Sequence, residues 1–295
     1  MVLPSNEPNR RNGAREALLA WYRANDPGYP WRRTRDPYAV LVAEVMLQQT
    51  QAARVVEAFP RFMARFPDVA ALASASRADV LRQWGGLGYA RRAVALHRVA
   101  RALIGDHAGA IPSDVAALET LPGVGPYTAA AVASIAFGAS VPAIDTNVRK
   151  VVARLAYGRE PDTVSAADIR RAAAEWLTNA EPGDWNQAVM DLGRQVCRPV
   201  PRCDVCPLAR RCRFRASGRT GRRSGRPPQP AFEGSMRQVR GSVLRELRGR
   251  ARAAPSETIA AALSMPLERV VLAVDALERD GIVERTPSGR VRLPR

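Results

Sequence analysis

Apolar residues recur at three- and four-residue spacing from Ala14 to Tyr22, Ala39 to Met46, Val55 to Phe66 and Ala93 to Ile104. That rhythm marks one face of an α-helix. Alanine is abundant and few stretches alternate with period two, so the chain before about residue 210 is predicted to be mostly helical. Turn signals separate the helices: Asp26-Pro27-Gly28, Asp36-Pro37, Gly85-Gly86 and the run from Leu121 to Pro126. Ser113 and Asp114 predict an N-cap for a helix reaching Thr120. From Arg213 to Pro230 the sequence RFRASGRTGRRSGRPPQP has almost nothing to bury and reads as a linker, solvated or touching phosphates. Beyond it, Arg237–Leu247 looks helical, and Ser256–Ala262 with Leu267–Asp280 makes a helix–turn–helix pattern. Gly281 stops the last helix, and Ile282–Arg285 and Arg290–Leu293 read as strands around the turn Thr286–Gly289. Residues 236–295 therefore resemble a winged helix, which serves either DNA or protein contact.

Charge changes the picture more than composition does. An apolar fraction of 46% is ordinary, but 45 basic against 28 acidic residues leave a net charge of +17. Such an excess points to an anionic polymer or an anionic membrane surface. No run of 18 apolar residues exists, so no transmembrane helix is expected. Met1–Glu16 lacks the apolar core of a secretory signal, so the expected location is cytoplasmic. Lys150 is the one lysine, and His97 and His107 are the two histidines, with no serine-based triad motif near either. Schiff-base and histidine acid–base chemistry thus have few candidates.

Three features carry chemistry. Cys197, Cys203, Cys206 and Cys212 are spaced C-x5-C-x2-C-x5-C. In a cytosolic chain, clustered thiols read as metal ligands, for a [4Fe–4S] cluster or for zinc. Leu121-Pro122-Gly123-Val124-Gly125 lies between two predicted helices, like the hairpin of a helix–hairpin–helix. Its glycines permit close backbone approach, and the free N–H groups of the helix after Tyr127 suit a DNA phosphate. Asp145 follows a short apolar stretch and precedes a helix over Val148–Ala156, where it is either an N-cap or a reactive carboxylate.

In order along the chain stand Pro30-Trp31-Arg32, Glu44-Val45-Met46-Leu47-Gln48-Gln49-Thr50-Gln51, Gly86-Leu87-Gly88-Tyr89, LPGVGPYT from Leu121 to Thr128, Asp145-Thr146-Asn147-Val148, and the four cysteines. Together, over about residues 14–212, they resemble the helix–hairpin–helix DNA glycosylases, and among them the A/G-specific adenine DNA glycosylases. The resemblance implies a mainly α, two-lobed fold with an iron–sulfur cluster loop, plus the small winged-helix-like domain. The expected domains are a cluster lobe (1–29 and 139–212), a six-helix lobe (30–138), a linker (213–235) and the C-terminal domain (236–295).

The resemblance also implies a catalytic set of Glu44, Asp145, Tyr127 and Asn147. Glu44, in an apolar setting, would be a general acid whose protonated form burial favours. Asp145 would stabilise the cationic sugar left behind, as in the acid and nucleophile pair of retaining glycosidases. Tyr127 stands where strand-cleaving relatives carry a lysine, which implies a monofunctional enzyme. Arg32 and Gln187 would line the adenine pocket, Gln49 and Tyr89 would enter the duplex, and Thr50 and Leu87 would contact the opposing base. Gly123 and Gly125 would hold DNA, and the cysteines a [4Fe–4S] cluster, with zinc the alternative. The expected partner is double-stranded DNA carrying adenine opposite 8-oxoguanine or guanine, bound by a monomer at the nucleoid, with no membrane involved.

The chain departs from the family pattern at three points. The first cysteine gap is five residues rather than six, Ala90 replaces a usual second tyrosine, and about 60 residues stand where the family has a larger Nudix-like module. Two other readings stay open. A thymine or uracil mismatch glycosylase fits Tyr127, but Glu44 and Gln48-Gln49-Thr50 are not its signature. An iron–sulfur DNA-binding regulator explains the charge and the cysteines but not Glu44, Asp145 and the hairpin together.

Overall fold

The computed structural model describes residues 7–221 and 230–295. Its helices, in order, are α1 (Glu7–Ala24), α2 (Pro37–Leu47), α3 (Ala52–Arg65), α4 (Val69–Ser74), α5 (Arg77–Gln83), α6 (Arg91–Asp106), α7 (Val115–Glu119) and α8 (Pro126–Phe137). They continue with α9 (Thr146–Tyr157), α10 (Ala166–Trp176), α11 (Pro182–Gln195), α12 (Arg213–Ala216), α13 (Met236–Gly249), α14 (Ser256–Leu263) and α15 (Leu267–Arg279). Two strands close the chain, β1 (Glu284–Arg285) and β2 (Val291–Arg292), paired antiparallel. Every helix read from periodicity is present, and the fold is mainly α.

Contacts divide the described residues into two units. The first runs to Leu41, adds Pro112–Thr120 and resumes at Val124. Its core packs α1, α9, α10 and α11 through Leu18, Val152, Ile169, Trp176, Trp185 and Leu192. The second holds Val42–Ile111, Leu121–Gly123 and the C-terminal stretch to Arg295. There Phe62 meets Phe66 and Trp84 edge-on at 5.0 and 6.1 Å, within a core completed by Leu72, Leu81, Leu96 and Leu103.

Local chemistry explains the boundaries. Asp68, Ser76, Asp114, Ser165 and Ser235 each accept a backbone N–H at a helix start. Gly138 and Gly158 end α8 and α9 in the left-handed conformation that glycine adopts without strain.

The stretch read as a linker begins differently. Arg213–Ala216 is helical, and Phe214 is 1% exposed under the guanidinium of Arg154 at 4.8 Å. A single aromatic with a cation to cover is enough to hold this turn down, despite its polar neighbours. Residues 222–229 of that stretch lie outside the described residues. The C-terminal domain has the expected order of three helices and a hairpin, and Ala254 bridges Val291 to widen the hairpin. The strands are shorter than the alternation implied: the Ile282 N–H is given to the Leu277 carbonyl at 2.9 Å, which ties this residue to the end of α15. Among the described residues, no helix is long and apolar enough to cross a membrane.

Candidate active site

In the first unit, α11 organises the chemistry. Its apolar face is buried, and successive turns present Gln187, Met190, Asp191 and Gly193. Gln187 accepts a hydrogen bond from the Tyr22 hydroxyl on α1. Met190 lies 3.5 Å from the Tyr127 hydroxyl on α8. Asp191 pairs with Arg32 at 2.6 Å and with Arg194 at 3.2 Å. Arg32 sits on a 3₁₀ turn, Pro30–Arg33, with its guanidinium 5.2 Å from the rings of both Tyr22 and Tyr29. Burial opposes its charge, but Asp191 outweighs burial and holds the pKa above its ordinary value. Burial also pushes the Tyr22 hydroxyl up to about 12, so it stays a hydrogen-bond donor. Arg32 and Gln187 thus share one partner, Tyr22. Asn186 faces the other way. Its amide donates to Ser134 and Val141, and its oxygen accepts from Ala143 N at 2.9 Å, fixing the segment that leads into Asp145.

Asp145 does cap α9. Its Oδ1 accepts from Val148 N at 2.7 Å, while Oδ2 accepts from the Asn147 amide at 2.9 Å. Lys150 donates in turn to Asn147 Oδ1 at 3.3 Å. Lys150, the one lysine, stands one helical turn past Asn147 and so joins this hydrogen-bonded chain. Burial lowers its pKa. Gly193 makes the arrangement possible: a Cβ there would stand 2.6 Å from Asn147 Cβ. The capping and catalytic readings of Asp145 do not compete, since a capping carboxylate with one N–H donor on each oxygen is also a fixed one.

In the second unit, Glu44 lies on α2 and is 8% exposed. Its neighbours Val40, Leu41, Val42, Ala43, Val45 and Met46 are all buried apolar side chains. Two strained residues follow. Gln49 (φ 54°) and Tyr89 (φ 44°) occupy the left-handed region without being glycine, and both are exposed. Bulky residues in that region are uncommon and gather where a structure holds them for use.

Arg92 holds the loops that carry them. Its guanidinium donates to the Val45 and Met46 carbonyls at the end of α2, both at 2.8 Å. It also donates to Thr50 Oγ1 at 2.8 Å and to the Leu87 and Gly88 carbonyls at 3.4 and 3.3 Å. The rings of Trp84 and Tyr89 flank it at 5.2 and 5.5 Å. Burial lowers its pKa to about 10, still charged at neutral pH. Sequence reading missed Arg92 because it stands one turn past the Gly-Leu-Gly-Tyr run, among 44 arginines. Leu87, expected at the opposing base, is 3% exposed, and its carbonyl accepts from Arg92. His97 is buried against the Ala75 carbonyl at 3.1 Å, a structural histidine.

The hairpin turns at Gly123 (φ 82°), where a Cβ would come within 3.1 Å of Ala95. Gly125 precedes α8 with open space around it, and Pro126 opens the helix.

Cys197, Cys203, Cys206 and Cys212 line one small cavity, with Arg154, Arg202, Phe214 and Arg215 on its walls. Burial pushes the Cys206 thiol up to about 12 and raises Cys197. Both are costly as free thiolates unless positive charge compensates them. Among the described residues, no three His, Cys, Asp or Glu side chains converge as ligands of a single ion. Arg154, on α9, locks the loop that follows Cys197. It pairs bidentately with Glu160 and donates to the Arg198 and Pro199 carbonyls at 2.6 and 2.9 Å. Arg154→Met is expected to lower the unfolding free energy by about 3 kcal/mol, because it strands Glu160 and two carbonyls. Urea denaturation checks this, and a loss under 1 kcal/mol would deny the lock.

A helical chain that offers a glycine hairpin and an open helix start, together with a fixed capping carboxylate, has the layout of a helix–hairpin–helix base-excision glycosylase. The model of the family described as "HhH-GPD superfamily base excision DNA repair protein" matches residues 42–178. An adenine DNA glycosylase of Mycobacterium tuberculosis is 41% identical over 285 residues, covering 94% of this chain and 92% of that protein. The adenine DNA glycosylase of Homo sapiens is 42% identical over 213 residues, covering 68% of this chain and 39% of the human one. Among solved structures, a thermostable thymine-DNA glycosylase matches with TM-score 0.67 at 26% identity, over 72% of this chain and all of that one. An endonuclease III–DNA complex matches with TM-score 0.59 at 25% identity, over 70% of this chain and 97% of that one. The chain belongs to the adenine DNA glycosylases.

Proposed function

We propose that the enzyme releases adenine mispaired with 8-oxoguanine or guanine in duplex DNA, by hydrolysis and without strand cleavage. The observation that carries this reading is Glu44, a carboxyl 8% exposed on an otherwise apolar helix. A carboxyl that reaches a bound base can hand it a proton as a general acid. In this reading Glu44 protonates a ring nitrogen of the flipped adenine. The glycosidic bond then breaks with its electron pair leaving on the base. Asp145, held by Val148 N and Asn147, stabilises the sugar cation. Water adds to that carbon, and its proton passes to a carboxylate or to solvent. Tyr127 offers a phenol rather than an amine, so no Schiff base forms there. Lys150 is engaged by Asn147 and serves to orient it.

Gln49 and Tyr89 fill the gap left by the flipped base, and Thr50 faces the opposing one. Arg32 and Gln187 position adenine, while Gly123 and Gly125 bring backbone N–H groups to a phosphate. The four cysteines line one cavity and would hold a [4Fe–4S] cluster, with zinc the alternative. Such a cluster would supply a covalent staple for the loop, with mismatched duplex DNA as the partner of a monomer acting at the nucleoid.

The test is single-turnover base release from duplexes with A opposite 8-oxoguanine, A opposite G, T opposite G, U opposite G, and A opposite T. Fast release of adenine from the first two alone is expected. Release of T or U instead would overturn the reading and make Glu44 structural.

A further inference from the structure

The C-terminal domain is the feature the reaction has not absorbed. Its pattern predicts a helix–turn–helix, in which the second helix ordinarily enters the major groove of DNA. Here that helix is α15, and it is ill suited to the task. In a chain of charge +17 it carries Glu268, Asp275 and Glu278 against Arg269 and Arg279. Leu272, in its middle, is exposed. Arg285 pairs with both Asp275 and Glu278, so the cations near those acids are already spent within the domain.

The end of α15 is stranger. Asp280 is its C-cap, where the partial negative charge of the helix terminus disfavours a carboxylate. Capping therefore does not explain it. Its side chain is only 7% exposed and bridges Arg240 of α13 and Arg91, the first residue of α6. Burial by itself would raise its pKa, but the two guanidiniums outweigh burial and hold it below the ordinary value. The next residue, Gly281, accepts from Arg77 of α5 at 3.4 Å, and α13 packs on α5. All of these residues belong to the second unit.

Arg91 and Arg92 are consecutive and reach in different directions. Arg92 clamps Thr50 and the Leu87 and Gly88 carbonyls, while Arg91 takes Asp280. Between these anchors and Gly86 stands Tyr89, strained and 53% exposed. A residue held in the left-handed region needs surroundings that over-determine it.

We propose that Asp280 is a positioning residue: through Arg91 it lets the C-terminal domain set the loop Gly86–Arg92, and the domain contributes to lesion recognition by holding this loop rather than by reading DNA with α15. This rests on the reading that Tyr89 and Thr50 face the duplex. The mycobacterial relative aligns over 94% of this chain, so the likeness extends into the domain that supplies Asp280.

The full-length chain is compared with Asp280→Asn, Arg91→Ala, the double variant, and a control, Arg292→Gln, which breaks a pair inside the hairpin only. Two readouts are taken. The first is amide hydrogen exchange over residues 86–92 in the free protein, which needs no substrate. Asp280→Asn and Arg91→Ala are each expected to speed exchange there about tenfold, and the control to leave it unchanged. The second is single-turnover adenine release opposite 8-oxoguanine, with duplex affinity measured separately. Each single variant is expected to slow release about tenfold, with affinity changed less than threefold, and the double variant to be no slower than either. Unchanged exchange at 86–92, or multiplicative rate losses in the double variant, overturns the proposal. If Asp280→Asn loosens α13–α15 throughout, Arg91→Ala decides, since it removes an exposed side chain outside the domain. If no chain releases adenine, the substrate reading fails, while exchange still decides whether Asp280 holds the loop.

Discussion

Glu44→Gln is expected to slow adenine release by about 10²- to 10⁴-fold while duplex affinity stays within a few-fold of the parent. Glutamine keeps the length and planarity of the side chain, so the apolar packing around α2 has no reason to change. What disappears is the acidic proton. Adenine then has to leave as an anion, or borrow its proton from water that this buried setting keeps away. Single-turnover release and fluorescence-monitored binding on the same mispaired duplex separate the two effects. A variant that binds normally and releases at the parent rate would remove Glu44 from the chemistry. A variant that loses binding and rate together would make it a structural residue of α2.

Gly193→Ala is expected to have the next largest effect, a loss of about 10²-fold in release rate. The added methyl would stand 2.6 Å from Asn147 Cβ and 3.0 Å from its Cα and carbonyl oxygen. No rotamer change relieves a clash with backbone, so α9 and α11 must separate by several tenths of an ångström. The displaced atoms are those next to Asp145, and the Asn147 amide that holds Oδ2 moves with them. Overpacking of this kind also costs about 1–3 kcal/mol of stability. Thermal unfolding and single-turnover release on one preparation check both. A rate within twofold of the parent would show that the capping carboxylate tolerates movement of its helix.

The glycine also marks a limit of sequence reading. The helices of the first half were legible because their apolar stripes are amphipathic and their caps are standard, as at Asp114 and Ser165. The winged-helix order was legible for the same reason. Helix α11 lacks such a stripe, because it is buried on much of its circumference, and it carries two glycines. Those same glycines were the available clue. A Cβ at Gly183 would stand 2.9 Å from Ile135 Cα and Ser134 O, so both mark backbone contact rather than weakness.

Glu44, Asp145 and the cysteines stood out through motif and spacing. Arg92, Asp191 and Asp280 did not, because each acts through a partner far away in sequence. Among so many arginines, nothing local distinguishes a clamp from a solvated charge. Phe214 was misjudged in the opposite sense, its one aromatic ring lost in a polar stretch.

Two of the left-handed non-glycine residues, Gln49 and Tyr89, carry a consequence for protein engineering. Each costs about 1 kcal/mol or more of folding free energy, which glycine at the same position would not incur. A campaign that ranks variants by melting temperature alone would therefore converge on glycine at positions 49 and 89. It would be rewarded for discarding the two side chains assigned to the gap in the duplex. Durability and repair pull in opposite directions at these loop tips, so a hardened version of this enzyme has to gain its stability elsewhere.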